Sequence, residues 1–181
     1  DGYGYDVIVI RHYLKGAARL ASEAARAPVI NAGDGPNQHP TQTMLDLYSI
    51  RETQGKIDSI SIALVGDLEN GRTVHSLTEA LLKYKGCKLY FVSSRDLAMP
   101  AYLLDKCRER AGDGDFFFDE VTRLEEVVDE VDIIYMTRIQ KERFEGREQL
   151  YEKVKNIYRL DAKMLKNVKP NLKVMHPLPR V

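Results

Sequence analysis

Short apolar runs recur along this chain, each leading into polar or ionisable residues, and all but the last followed by a helix-favouring segment. They are Asp6-Val-Ile-Val-Ile-Arg-His12, Pro28-Val-Ile30, Ile60-Ser-Ile-Ala-Leu-Val-Gly-Asp67, Lys88-Leu-Tyr-Phe-Val-Ser93, Asp132-Ile-Ile-Tyr-Met-Thr-Arg138 and Leu172-Lys-Val-Met175. The first run, Asp6–His12, is uninterrupted and reads as a strand covered on both faces, as parallel strands are; Ile60–Asp67 reads as a buried strand and the others as strands. Strands alternating with helices predict an α/β fold of doubly wound parallel sheets.

Between the runs, Lys15–Ala24 is alanine-rich and helix-favouring. Thr43–Glu52 carries Met44, Leu45, Leu47 and Tyr48 at helical spacing, with Gly55 as its cap. A helix after Gly71 would present Val74, Leu77, Ala80, Leu81 and Tyr84 on one face. Further helices are expected over Ala101–Ala111, Leu124–Val131 and Asp161–Val168, the last capped by Asp161. Phe116–Asp119 reads as a short strand or its edge. Phe144–Lys155 is charged, and half of it reads as a mobile loop. Gly55–Ser59 marks a junction between two lobes.

The 181 residues suffice for one ordinary domain, or one domain and part of another. Lys and Arg number 27, as do Asp and Glu, so no global field draws nucleic acid or an anionic membrane. No apolar run approaches the length of a membrane span. Both ends read as cut, which suggests a piece of a longer chain. Cys87 and Cys107 have no metal-ligand spacing, and a reducing cytoplasmic setting fits them.

The most loaded stretch is Asn31-Ala-Gly-Asp-Gly-Pro-Asn-Gln-His-Pro-Thr-Gln-Thr43. It reads as a polar loop leaving a strand and entering a helix at Pro40-Thr41, where unpaired backbone N–H groups favour an anion. His39 and Gln42 would fix a small polar or phosphorylated molecule there. Four strands also end in polar groups: Arg11-His12, Asp67 to Arg72, Thr137 to Gln140, and His176 to Arg180. With the loop, five such groups would gather at one edge of a parallel sheet, where ligands bind. Arginine suits planar carboxylate or phosphate.

Other chemistry is poorly supported. Gly66-Asp-Leu-Glu-Asn-Gly-Arg72 does not fit the dinucleotide fingerprint G-x-G-x-x-G. No Ser or Cys sits on a nucleophile elbow and no histidine spacing suggests a metal. His75 lies away from the Val74–Leu77–Leu81 face and reads as structural or surface. His12 and His176 read equally as hydrogen-bonded histidines or as site residues. What remains is direct group transfer by positioning and electrostatic stabilisation, with no cofactor and no metal.

Val9-Ile-Arg-His12, Asn31 to Gly35 with Asn37 to Thr43, Gly71-Arg-Thr-Val-His-Ser76, Met136 to Arg143 and His176-Pro-Leu-Pro-Arg180 together resemble the catalytic chain of the aspartate carbamoyltransferase family, in its order and at its approximate spacings. The resemblance implies transfer of the carbamoyl group of carbamoyl phosphate to L-aspartate, in de novo pyrimidine biosynthesis. It implies the end of a carbamoyl-phosphate-binding domain over residues 1–40, a connecting helix over 41–55, and a Rossmann-like aspartate-binding domain over 56–181. Arg11, His39 and Gln42 would hold carbamoyl phosphate, with Arg11 and His39 polarising its carbonyl as the catalytic pair. Arg72, Arg138 and Gln140 would hold the carboxylates of aspartate. The backbone of Pro177 and Leu178 would touch the reacting groups, with Leu178–Pro179 a cis peptide. Glu142 and Arg143 would form interdomain pairs on closure. A cytoplasmic homotrimer with shared active sites is implied, with regulatory chains as further potential partners and no role for nucleic acid or membrane.

This sequence departs from the family at several points. It lacks the Ser-Thr-Arg-Thr phosphate loop, the loop that lends a serine and a lysine to a neighbouring subunit, and the closing C-terminal helices. Tyr13, Lys15, Glu69 and Asn70 replace the family's usual residues. These residues alone are therefore not expected to turn over. Ornithine carbamoyltransferase shares His-Pro-x-Gln, but its Ser-Met-Gly motif and its cysteine in place of Pro177 are absent. A non-catalytic homologue that binds or scaffolds is the alternative of another class. A nucleotide-binding regulatory module rests on the α/β pattern alone, and fold does not give function.

Overall fold

A computed structural model describes residues 2–139, 144, 146–154 and 157–179. The chain order is β1 (Ile8–His12), α1 (Ala17–Ala24), β2 (Val29–Asp34), α2 (Pro40–Gln54), β3 (Ser61–Val65), α3 (Arg72–Leu81), β4 (Lys88–Val92), α4 (Ala101–Ala111), β5 (Phe117–Val121), β6 (Ile133–Met136), α5 (Glu148–Val154) and β7 (Lys173–Met175). Strands β1 and β2 form a two-stranded parallel sheet, and the other five form a parallel sheet in the order β5-β4-β3-β6-β7. The expected parallel α/β architecture is present. Among the described residues no helix is long and apolar enough to cross a membrane.

The three central strands of the larger sheet, β3, β4 and β6, are buried on both faces, which is why they are apolar without alternation, whereas the edge strands β5 and β7 are largely exposed. Ile62, Leu64, Leu89, Phe91, Ile133 and Tyr135 point into one layer, packed by α2, α3 and α4 through Ile50, Val74, Leu77, Leu81, Leu103 and Cys107. Ala63, Val65, Tyr90, Val92 and Ile134 point the other way. Burial on this scale, roughly 25 cal/mol per Å² of apolar surface, is the main term holding the fold.

That second layer differs from expectation. Leu124–Val131 is not a helix: a single 3-10 turn covers Leu124–Glu126. Glu125 and Asp129, and Glu126 and Glu130, would meet as like charges one helical turn apart. Leu124, Val127 and Val131 still bury their side chains against the sheet. Asp161–Val168 is likewise a run of turns. Asp161 does cap it, its Oδ1 accepting from the N–H groups of Lys163 and Met164 at 2.7 and 3.1 Å. Within Phe144–Lys155, α5 forms over Glu148–Val154, and Phe144 and Val154 pack with Leu97 in a small apolar cluster.

The first sheet also departs from its reading. β1 is not covered on both faces: Val9 is 64% exposed and Ile30 on β2 is 44% exposed. With one partner strand and α1 beside it, the pair has cover on one side only among the described residues. β2 is longer than Pro28–Ile30. It pairs Ile10 with Asn31 and His12 with Asp34, so Asn31 to Asp34 are strand and the loop starts later.

α2 joins the two sheets and is held at three levels. At its start, the His39 N–H donates to Ser76 Oγ on α3 at 3.2 Å. In its middle, Tyr135 on β6 donates its hydroxyl to Asp46 at 2.8 Å. At its end, Gln54 donates to the carbonyls of Asp132 and Asn171 at 3.2 and 3.1 Å. Gly55 closes it in the left-handed region (φ 73°), donating to the Arg51 carbonyl. Leu47 and Ile50 face the core, whereas Met44, Leu45 and Tyr48 are exposed.

Candidate functional site

The larger sheet reverses its winding between β3 and β6. β4 and β5 lie to one side of β3, and β6 and β7 to the other. Loops leaving two adjacent strands in opposite directions open a crevice at such a point. Here the crevice is a cleft of about 280 Å³, walled by residues of both sheets. From the first come Arg11 near the end of β1, and His39 and Gln42 at the start of α2. From the second come Asp67, Asn70, Arg72 and Thr73 after β3, Thr137 and Arg138 after β6, and His176 to Pro179 after β7.

The structure thus gathers Arg11, His39, Gln42, Arg72, Arg138, Pro177 and Leu178 in one cleft. Gln140, Glu142 and Arg143 lie outside the described residues. The Leu178–Pro179 peptide is cis. His176 lines the cleft, and its Nδ1 accepts from the Leu178 N–H at 2.8 Å. His12 does not line it: its ring stacks on Tyr13 and accepts from the Leu14 N–H. His75 is buried and structural, its Nε2 2.6 Å from the Leu68 carbonyl.

Local chemistry explains the loop shapes. Gly66 has φ 117°, and a Cβ there would stand 2.5 Å from Thr137 Oγ1. That hydroxyl stitches the two strand ends together, donating to the Val65 carbonyl and accepting from the Asp67 N–H. Asp67, almost wholly buried, accepts from both the backbone and side-chain nitrogens of Asn70. Across the cleft, Asp34 accepts from the N–H groups of Gly16 and Gln38 and from Asn37 Nδ2. Burial pushes its carboxyl upward, but these hydrogen bonds outweigh that and leave it below the usual range.

Arg72, the first residue of α3, reaches across to the first sheet and donates to the Gly35 carbonyl at 2.5 Å. His39 sits between cations. Burial first, then the charges of Arg72 and Arg11, hold its pKa below the ordinary value and so favour the neutral ring.

Sequence reasoning did not single out Asp46. It is 3% exposed, and its carboxylate accepts from Gln42 Nε2 at 2.9 Å and from the Tyr135 hydroxyl at 2.8 Å. Its one signal is an acid four residues after Gln42, beside Leu45 and Leu47. Thr137, expected among the polar residues at a strand end, lines the cleft, and so does Thr73, which sequence reasoning carried only as part of the Gly71–Ser76 stretch.

An arginine-rich cleft between two parallel sheets, at the carboxyl ends of their strands, marks an α/β protein with the chemistry to suit small anions between two lobes. Residues 58–181 match the Asp/Orn binding domain of aspartate/ornithine carbamoyltransferase, and residues 1–52 match the carbamoyl-P binding domain. The chain belongs to the aspartate/ornithine carbamoyltransferase family. It is similar to the aspartate carbamoyltransferase catalytic subunits of Thermococcus gammatolerans, at 56% identity over 97% of this chain and 55% of that protein, and of Chromobacterium violaceum, at 52% identity over 97% and 56%. Among solved structures it is similar to the catalytic subunit of M. jannaschii aspartate transcarbamoylase, with TM-score 0.87 and 48% identity over 99% of this chain and 56% of that one. It is also similar to aspartate transcarbamoylase from Trypanosoma cruzi in complex with N-(phosphonacetyl)-L-aspartic acid, with TM-score 0.90 and 36% identity over 99% and 56%. The chain spans about half the length of these relatives.

Proposed function

We propose that this chain contributes to transfer of the carbamoyl group of carbamoyl phosphate to the amine of L-aspartate, giving N-carbamoyl-L-aspartate and phosphate for pyrimidine biosynthesis. The observation that carries the reading is the convergence of Arg11, His39 and Gln42 with Arg72 and Arg138 on one cleft. Arg11 and the neutral His39 face the carbamoyl oxygen, and Gln42 takes the carbamoyl amide. The amine nitrogen attacks the carbamoyl carbon, and negative charge grows on the oxygen. Fixed donors stabilise that charge without reorganising. The carbon–oxygen bond to phosphate then breaks and the amine proton leaves with the departing group. Phosphate is a good leaving group, so no protein nucleophile is needed.

Arg72, Arg138 and Gln140 hold the two carboxylates of aspartate. The backbone of Pro177 and Leu178 borders the reacting atoms, and Glu142 and Arg143 pair between lobes on closure. The first lobe is assigned residues 1–40, a connecting helix 41–55, and the aspartate lobe 56–181. In the family's pattern the phosphate is held mainly by the Ser-Thr-Arg-Thr loop and by a neighbouring subunit of a cytoplasmic homotrimer, with regulatory chains as potential further partners. Calorimetric titration of the full protein carrying this sequence with N-(phosphonacetyl)-L-aspartic acid tests the reading. Tight, saturable binding is expected; its absence would favour a scaffold.

A further inference from the structure

Gln42 is the one amide among the carbamoyl phosphate residues, and an amide can face a ligand with either end. Its nitrogen donates to Asp46 Oδ1 at 2.9 Å, one helical turn along α2. A carboxylate offers acceptors only, so it can receive the NH₂ end and not the oxygen. Asp46 itself cannot turn away. Its other oxygen accepts from the hydroxyl of Tyr135, 2.8 Å away and fully buried on β6. Asp46 does not line the cleft, whereas Gln42 does.

We infer that Asp46 is a positioning residue that locks the Gln42 amide with its oxygen toward the cleft, and so selects a ligand that presents an NH₂ group there. The inference rests on the carbamoyl phosphate reading of the cleft. The same lock spans the two sheets, since Gln42 and Asp46 sit on α2 and Tyr135 on β6. Tyr135 immediately precedes the Met136-Thr137-Arg138 stretch that carries an aspartate-binding arginine. Orientation of the carbamoyl-binding amide and placement of the aspartate-binding strand end thus depend on one buried carboxylate.

Acetyl phosphate is the discriminating probe. It keeps the acyl phosphate of carbamoyl phosphate but carries a methyl group in place of NH₂. In Asp46→Asn, the Tyr135 hydroxyl donates to the Asn oxygen, so the Asn NH₂ faces Gln42. Gln42 then turns its oxygen inward and its NH₂ toward the cleft, donor against donor. Binding of both phosphates is measured on the full protein carrying this sequence, for wild type, Asp46→Asn and the double variant Gln42→Glu/Asp46→Asn.

Wild type is expected to prefer carbamoyl over acetyl phosphate. In Asp46→Asn that preference should fall about tenfold, the worth of one hydrogen bond turned from made to opposed. The double variant returns an acceptor oxygen to the cleft and should restore the ratio, even if its added charge weakens both ligands. A ratio is insensitive to the fraction folded, so a general loss of structure does not mimic the result. An unchanged ratio in Asp46→Asn, or a lowered one that Gln42→Glu leaves unrestored, overturns the inference. Wild type binding neither phosphate overturns the carbamoyl phosphate reading, and the inference with it; that arm alone separates the two failures.

Discussion

The Arg72 guanidinium, on the first turn of α3, donates to the carbonyl of Gly35 in the loop after β2, and so ties the two sheets together across the cleft. Gly33 makes room for it. A Cβ on Gly33 would stand 3.3 Å from Arg72 Nη1, and its φ of 123° suits glycine alone. Gly33→Ala should therefore lower stability by about 1–3 kcal/mol, the cost of such a backbone conformation. It should also displace Arg72 and weaken binding of N-(phosphonacetyl)-L-aspartic acid. Thermal melts and calorimetry check the two effects separately. A variant with wild-type melting and affinity would show that Arg72 is placed by other contacts.

The two arginines of the aspartate side should not tolerate lysine. A guanidinium presents a planar fork to a carboxylate, and an ammonium presents a point. Arg72→Lys and Arg138→Lys are each expected to raise the KM for aspartate by roughly tenfold or more, as loss of a hydrogen bond to a charged group implies. The KM for carbamoyl phosphate should change much less. Steady-state kinetics with each substrate varied in turn decide it, and equal effects on both would count against the division of the cleft.

Asp46 makes stability depend on pH in an unusual direction. Burial raises its pKa from 3.8 to about 6, although hydrogen bonds from Gln42 and Tyr135 pull the other way. A raised folded-state value means that the folded protein holds the proton more tightly than the unfolded chain. Its contribution is therefore fully present below pH 3.8 and is lost as pH rises through about 6. At about 1.36 kcal/mol per unit, the charged carboxylate costs on the order of 3 kcal/mol above that range. Asp46→Asn removes the titration. The variant should gain stability relative to wild type between pH 4 and pH 8, as read from denaturant midpoints at each pH. A difference independent of pH would contradict this.

Asp34 shows the opposite sign. Its hydrogen bonds hold the pKa below 3.8, so its contribution is present above that value and lost only as pH falls through its lower folded value. Asp34→Ala would leave the N–H groups of Gly16 and Gln38 without their acceptor. A destabilisation of about 1–3 kcal/mol is expected at neutral pH. It should shrink in strong acid, which urea titrations at pH 7 and pH 2.5 would reveal.

The centre of the larger sheet was legible because β3, β4 and β6 are buried on both faces and carry their apolar residues in short unbroken runs. β1 is as apolar as β3, yet Val9 lies exposed, since periodicity reports what a strand can bury and not what covers it. Leu124–Val131 misled because its leucine and valines fit a helix while its acids repel along one. The cleft residues were legible where a motif or a strand end marked them, as with Arg11, His39 and Arg138. Asp46 was not. Its partner Tyr135 lies 89 positions away, and only the packing of α2 against β6 brings them together.

In the proposed reaction the cleft joins a carbamoyl donor to an aspartate amine. The most direct measurement is the joint appearance of phosphate and N-carbamoyl-L-aspartate from carbamoyl phosphate and L-aspartate, with the full protein carrying this sequence. One phosphate is expected for each carbamoyl aspartate, with formation abolished in Arg138→Ala and not supported by ornithine as acceptor. Phosphate release that does not depend on aspartate, or faster transfer to ornithine, would contradict it.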